Sequence, residues 1–287
     1  MTQLLESAQP FILSNARLLE RHLFAYLFQD GDRQKVLTAL LAYQNEDGGF
    51  GNALEPDKRT STSQPIDQEF ALRILSDIGF ELSIALQICD FLETITRDGG
   101  VPFVLPTVRD APRAEWWNPE TDDPPPTINP TASIAGLLHK HHIQHPWLEG
   151  ATDFCWRQIE HFQDLGSHDL LCILLFLEHV PDRDRAERAF TKISTYLLES
   201  GLIAYDPQAS GYVFMPLVYA PSPDAICRRL FDDLTIQTHL DALARKQQED
   251  GGWPITWNAI SPACELEYRG IVTIRALQTL KAYDYLK

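Results

Sequence analysis

The chain has 287 residues, 44% of them hydrophobic, with 24 Lys+Arg against 40 Asp+Glu for a formal net charge of −16. That length and apolar content suffice for a large buried core, and the absence of a Gly/Ser-rich or charged linker favours one domain over 1–287. The negative charge argues against nucleic acid and against anionic membranes as partners.

Taken in chain order, the N-terminal run Met1-Thr2-Gln3-Leu4-Leu5-Glu6 is too polar for a signal peptide, and no later run is apolar enough to span a membrane. Apolar residues at helical spacing predict helices over roughly 9–28, 34–44, 65–78, 82–96, 130–142, 147–163, 168–179, 184–199, 223–232, 234–247 and 264–284, with no convincing strand. Helices apolar all round, such as the one holding Leu170 to Leu177, alternate with two-faced helices, such as the one holding Asp184, Arg185, Glu187, Arg188 and Lys192. Links before the apolar helices are mostly long, and function tends to sit on long loops held by a rigid scaffold. Cys89, Cys155, Cys172, Cys227 and Cys264 are odd in number and widely spaced. They read as reduced, packed thiols, which sets a cytoplasmic expectation.

The first long link opens on Gln44-Asn45-Glu46-Asp47-Gly48-Gly49-Phe50, and the same phrase returns as Gln247-Gln248-Glu249-Asp250-Gly251-Gly252-Trp253. A glycine past the last helical turn takes the left-handed conformation that ends a helix, and the Gln and the aromatic residue can tie the junction to its neighbour. Beyond the first copy comes Leu54-Glu55-Pro56-Asp57-Lys58-Arg59. The proline stiffens the backbone between Glu55 and Asp57, giving two carboxylates at a set separation as acid and base chemistry needs; the alternative is a turn whose charges pair with Lys58 or Arg59.

The next long link carries Trp116 and Trp117, then Glu120, Asp122 and Asp123 before Pro124-Pro125-Pro126. Packed acids repel one another, so Asp122 or Asp123 could retain a proton, against the alternative of a solvated acidic loop. Phe50, Trp116, Trp117 and Trp257 are candidate substrate-binding aromatics, suited to hydrocarbons, sugars or plain loop packing. His139, His141, His142 and His145 fall at a helix C-terminus, where cationic side chains serve the helix dipole, so no metal is expected there.

The repeated Gln-x-Glu-Asp-Gly-Gly-Phe/Trp phrase, echoed by Arg97-Asp98-Gly99-Gly100-Val101 and Ser210-Gly211-Tyr212, resembles the repeat of squalene/hopene cyclases and protein prenyltransferase β subunits. Among these, the chain is most similar to short bacterial proteins with prenyltransferase/squalene-oxidase repeats. The resemblance implies an all-α, single (α/α)6 toroid of inner and outer helices, and an isoprenoid or other apolar small-molecule substrate. In the cyclases an acidic Asp-x-Asp-Asp-Thr-Ala motif protonates an alkene. Laying Thr131-Ala132 over its end puts Thr127-Ile128-Asn129-Pro130 where the acids should be. Asn129 is thus left as a substrate contact, and Asp122, Asp123, Glu55 and Asp57 become the candidate acids.

No Asp-Asp-x-x-Asp run exists to hold magnesium and diphosphate, Asp224 and Cys227 lack the spacing of the prenyltransferase zinc site, and there is no phosphate-binding glycine loop. The expectation is therefore metal-free and cofactor-free. Three functions remain open: terpenoid cyclase-like chemistry, a non-catalytic ligand- or protein-binding toroid, and a carbohydrate-active enzyme with paired carboxylates.

Overall fold

The computed structural model describes residues 3–286. Among them are twelve α-helices and three short 3-10 helices; backbone pairing outside helices is limited to isolated bridges. No described helix is long and apolar enough to cross a membrane. The all-α expectation holds. The chain divides into two compact units, Met1–Ala39 with Ser194–Lys287, and Leu40–Ile193.

The continuous unit holds α4 (Pro65–Asp77), α5 (Leu82–Ile95), α6 (Ile128–Lys140), α7 (Pro146–His161), α8 (Ser167–His179) and most of α9 (Arg183–Glu199). Helices α4, α6 and α8 lie side by side as one layer, and α5 packs beside α7 as a second. The layers follow from residue pattern. Every residue of α6 from Pro130 to Leu138 is buried, as a helix with protein on all sides requires. Gly136 makes its contact with α8 possible, because a Cβ there would lie 2.7 Å from the Leu175 carbonyl oxygen. On α9, Ala186, Phe190, Ile193 and Leu197 form one buried stripe, leaving the other face to water.

The second unit joins both chain ends. It holds α1 (Gln3–Asn15), α2 (Leu18–Phe28), most of α3 (Arg33–Leu41), the short α10 (Pro216–Tyr219), α11 (Asp233–Arg245) and α12 (Pro262–Ala282). Helix α12 packs on α1, α2 and α11. Gly270 faces the α1–α2 corner, where a Cβ would meet that of Ala16 at 2.8 Å.

Two predicted helices differ in the structure. The single helix expected over 9–28 is two, broken at Ala16 and Arg17: Asn15 donates its side-chain amide to the Phe11 carbonyl at 3.1 Å, and Arg17 is extended. The helix expected over 223–232 is a 3-10 turn, Ile226–Leu230, because Asp232 takes the Thr235 N–H and starts α11.

The repeated phrase builds one loop twice. Asn45 N–H donates to the Gly49 carbonyl at 2.8 Å, and Gln248 N–H to the Gly252 carbonyl at 2.9 Å. Asp47 accepts from Gly49 N–H at 2.9 Å, and Asp250 from Gly252 N–H at 3.0 Å. Both first glycines have positive φ, +82° at Gly48 and +89° at Gly251. The residue after the glycines then docks its backbone N–H on a side chain of the following long helix: Phe50 on Gln68 and Trp253 on Thr273, each at 2.9 Å, with Val101 on Thr131 at 3.0 Å in the decayed copy.

Candidate functional site

In the continuous unit the two long links, 42–64 and 96–127, are bonded to each other. Arg59 N–H donates to the Pro112 carbonyl at 2.9 Å, Ala114 N–H to the Asp57 carbonyl at 2.7 Å, and Leu105 N–H to Gln64 Oε1 at 2.8 Å. Both junctions thereby gather at the N-terminal end of α4.

Their meeting seals a charged cluster. Glu55, Asp57, Lys58 and Asp67 each have 0% exposure. Asp67, in the first turn of α4, accepts the Glu55 backbone N–H on Oδ1 at 2.9 Å and forms an ion pair with Lys58 through Oδ2. Burial pushes the Glu55 carboxyl up to about 8; Lys58 opposes that rise, while the negative charges of Asp67 and Asp57 add to it. With all three carboxyls and the ammonium ionised the sealed site would carry a net charge of −2, and the raised Glu55 carboxyl, by holding a proton, halves it. A neutral carboxylic acid near pH 7 is a proton donor in waiting.

The other acidic group lies apart from this cluster. Asp122 pairs with Arg109 and Asp123 with Arg97, and both carboxylates are exposed on the surface of the 96–127 link. Sequence reasoning missed Asp67, which looks like an ordinary acid of a helix's first turn, and offered Glu55 or Asp57 as the partner of Lys58 where the structure pairs it with Asp67. The available signal was its place two residues after Pro65, where the long link returns to the helix.

The aromatic candidates fall in different surroundings. Phe50 is fully buried, its carbonyl taken by Gln68 Nε2 at 2.9 Å, so it packs inward and offers no face to a ligand. Trp117 is 6% exposed and stacks on Phe103 with ring centroids 4.8 Å apart, whereas Trp116 is 49% exposed. Asn129 is half-buried at the start of α6, before the cis Asn129–Pro130 bond. Trp257, in the other unit, meets Tyr268 edge-on at 4.9 Å and Tyr212 at 5.8 Å. That unit also has a cavity of about 250 Å³ bordered by Tyr26, Phe28, Asp30 and Lys281. Its ammonium is engaged, with Lys281 Nζ donating to the Leu27 carbonyl at 2.7 Å.

The histidines are held by neighbours. His139 Nε2 lies 2.8 Å from Thr152 Oγ1, and His141 Nε2 lies 2.9 Å from Ser76 Oγ with its ring stacked on Phe80. Asp90, Glu93 and His145 place one ligand atom each within 4.8 Å of one another. His145 Nδ1, however, accepts the Trp147 N–H at 3.1 Å, which leaves the proton of a neutral ring on Nε2, pointing at Asp90 3.1 Å away. This group is complete as a hydrogen-bonded cap.

No family model and no curated protein matches the chain. The chain is similar in fold to a protein from Actinoplanes of known crystal structure, with a TM-score of 0.59 and 16% identity over 96% of this chain and 98% of that one.

Proposed function

We propose that the chain acts on an isoprenoid or comparable apolar substrate in a terpenoid cyclase-like manner, with Glu55 as the proton donor and Asp57 beside it in the same turn. The observation that supports this reading is the Glu55 carboxyl, sealed with Asp57, Lys58 and Asp67 and protonated near neutral pH. In the step envisaged, the Glu55 proton passes to an alkene carbon. Glu55 is left as a carboxylate beside Lys58, the carbocation is quenched by loss of a proton to water or by bonding a water that then sheds a proton, and the released proton restores Glu55 through solvent. Five cysteines buried as thiols suit a cytoplasmic setting for such chemistry.

The sealing of the cluster favours a second reading. Because Glu55 has no exposed surface, a substrate reaches it only if the turn bearing Glu55 and Asp57 moves, and without that movement the unit is a binding module whose charges are structural. Incubation with squalene and with farnesyl and geranylgeranyl diphosphates, followed by mass spectrometry of the hydrocarbons, separates the two. The acid reading predicts cyclised or hydrated products that vanish in Glu55→Gln while thermal stabilisation by the substrate persists. Stabilisation without product supports the binding module; no stabilisation by any isoprenoid rules out the isoprenoid substrate.

A further inference from the structure

An amine and a carboxyl held in contact away from water are the two halves of an amide. Lys58 and Asp67 form the ion pair at the centre of the sealed cluster, and neither has any exposed surface. The 96–127 link, bonded over the turn through Pro112 and Ala114, keeps out the water that would otherwise hydrolyse such a bond. The two residues are nine positions apart, one on the turn and one in the first turn of α4, so the backbone has already brought the reacting groups together.

The surroundings supply what acylation of the amine needs. Lys58 Nζ sits on Asp67 Oδ2, the oxygen that can take its proton and free the nitrogen lone pair. The other oxygen, Oδ1, already accepts the Glu55 backbone N–H at 2.9 Å, a fixed donor where negative charge gathers when nitrogen adds to Cγ. The Glu55 carboxyl shares the cluster, its charge is felt by both Lys58 and Asp67, and burial keeps it protonated near neutral pH. Such an acid can protonate a departing hydroxyl and then recover a proton from nitrogen.

We infer that Lys58 and Asp67 join, after folding, in an intramolecular isopeptide bond, with Glu55 moving the protons. Lys58 Nζ passes one proton to Oδ2, and its lone pair forms the Nζ–Cγ bond. Glu55 protonates the Oδ2 hydroxyl, the Cγ–Oδ2 bond breaks, water leaves, and the Glu55 carboxylate takes a proton from Nζ. One water is lost, nothing is oxidised or reduced, and two buried charges of opposite sign become a neutral amide, which removes the desolvation both suffered. Oδ1 stays in place as the acceptor of the Glu55 N–H. The inference goes beyond the substrate reading and does not rest on it: Glu55 ends the sequence with its proton, so either can fail without the other.

Intact-mass spectrometry of the full chain, denatured after folding, tests it. The mass is expected to lie below that of the sequence by one water. Trypsin should then release a branched peptide joining 36–59 to 60–73, because an acylated Lys58 is not cleaved. Lys58→Arg, which keeps a cation but has no amine to acylate, should show the full mass of its sequence. Asp67→Asn should lose ammonia in place of water, and Glu55→Gln, with no carboxyl to move protons, should lose most of the crosslink. Circular dichroism of each variant shows whether the helices are intact, and the wild-type mass decides the matter without them. A wild-type chain at its full sequence mass would overturn the inference, as would a deficit of one water without the branched peptide, the signature of a cyclised aspartate. Complete crosslinking in Glu55→Gln would overturn the part given to Glu55.

Discussion

Asp67 holds the backbone N–H of Glu55 with one carboxylate oxygen and the ammonium of Lys58 with the other. A single side chain of α4 therefore fixes both ends of the Glu55–Lys58 turn, and the stability of that turn depends on a charge balance inside the protein rather than at its surface.

Lys58→Met removes the ammonium that pairs with the buried Asp67 carboxylate, and is expected to cost about 3–5 kcal/mol. Adding Asp67→Asn removes the stranded charge and keeps an oxygen for the Glu55 N–H, so the double variant should recover part of the loss. Urea unfolding of the wild type, both single variants and the double variant gives the coupling.

Glu55 also makes stability depend on pH. Its carboxyl keeps its proton to about pH 8 in the folded chain but only to 4.5 when solvated, so between these values the folded state binds more protons. Its contribution is fully present below the lower value and is lost as pH rises toward the upper one, by at most about 1.4 kcal/mol per pH unit. Denaturant midpoints from pH 5 to 9 should fall more steeply for wild type than for Glu55→Gln; parallel curves would place the proton elsewhere.

Two glycines with nearly equal backbone angles should respond differently to alanine. Gly211 has φ +85° with nothing within 4 Å of an added Cβ, so only strain of about 1–2 kcal/mol is expected. Gly251 has φ +89° and lies against α1, where a Cβ would overlap the Ser7 carbonyl oxygen, which adds about 1–3 kcal/mol of overpacking. Thermal melts of the two variants measure the difference.

The cysteines should be inert in the native protein. All five are buried; burial pushes Cys89 up to about 12 and raises Cys155 and Cys172 well above the usual thiol range. Ellman's reagent at pH 8 should label them only on unfolding.

The helices were legible because their apolar spacing is regular, and the loop phrase because glycine at positive φ leaves a sequence trace. The break at Ala16 was not, since it depends on an Asn15 side chain competing for a helical carbonyl. Glu55 and Asp57 stood out through the proline between them. Their sealing did not, because it requires the 96–127 link to cover them through Pro112 and Ala114, a pairing between segments some fifty residues apart that carry no shared pattern. Asp122 and Asp123 look equally acidic in sequence; only their neighbours Arg109 and Arg97 mark them as surface charges.

The unit built from both chain ends sets an order of assembly. Gln247 donates to the Leu4 carbonyl across 243 sequence positions, and Lys281 to that of Leu27 across 254. On the ribosome, α1 and α2 emerge with Phe11, Ile12 and Leu19 uncovered and wait for α12, while the stretch Leu40–Ile193 already has its own partners. The burial of α1 and α2 is thus completed only after α12 has been made.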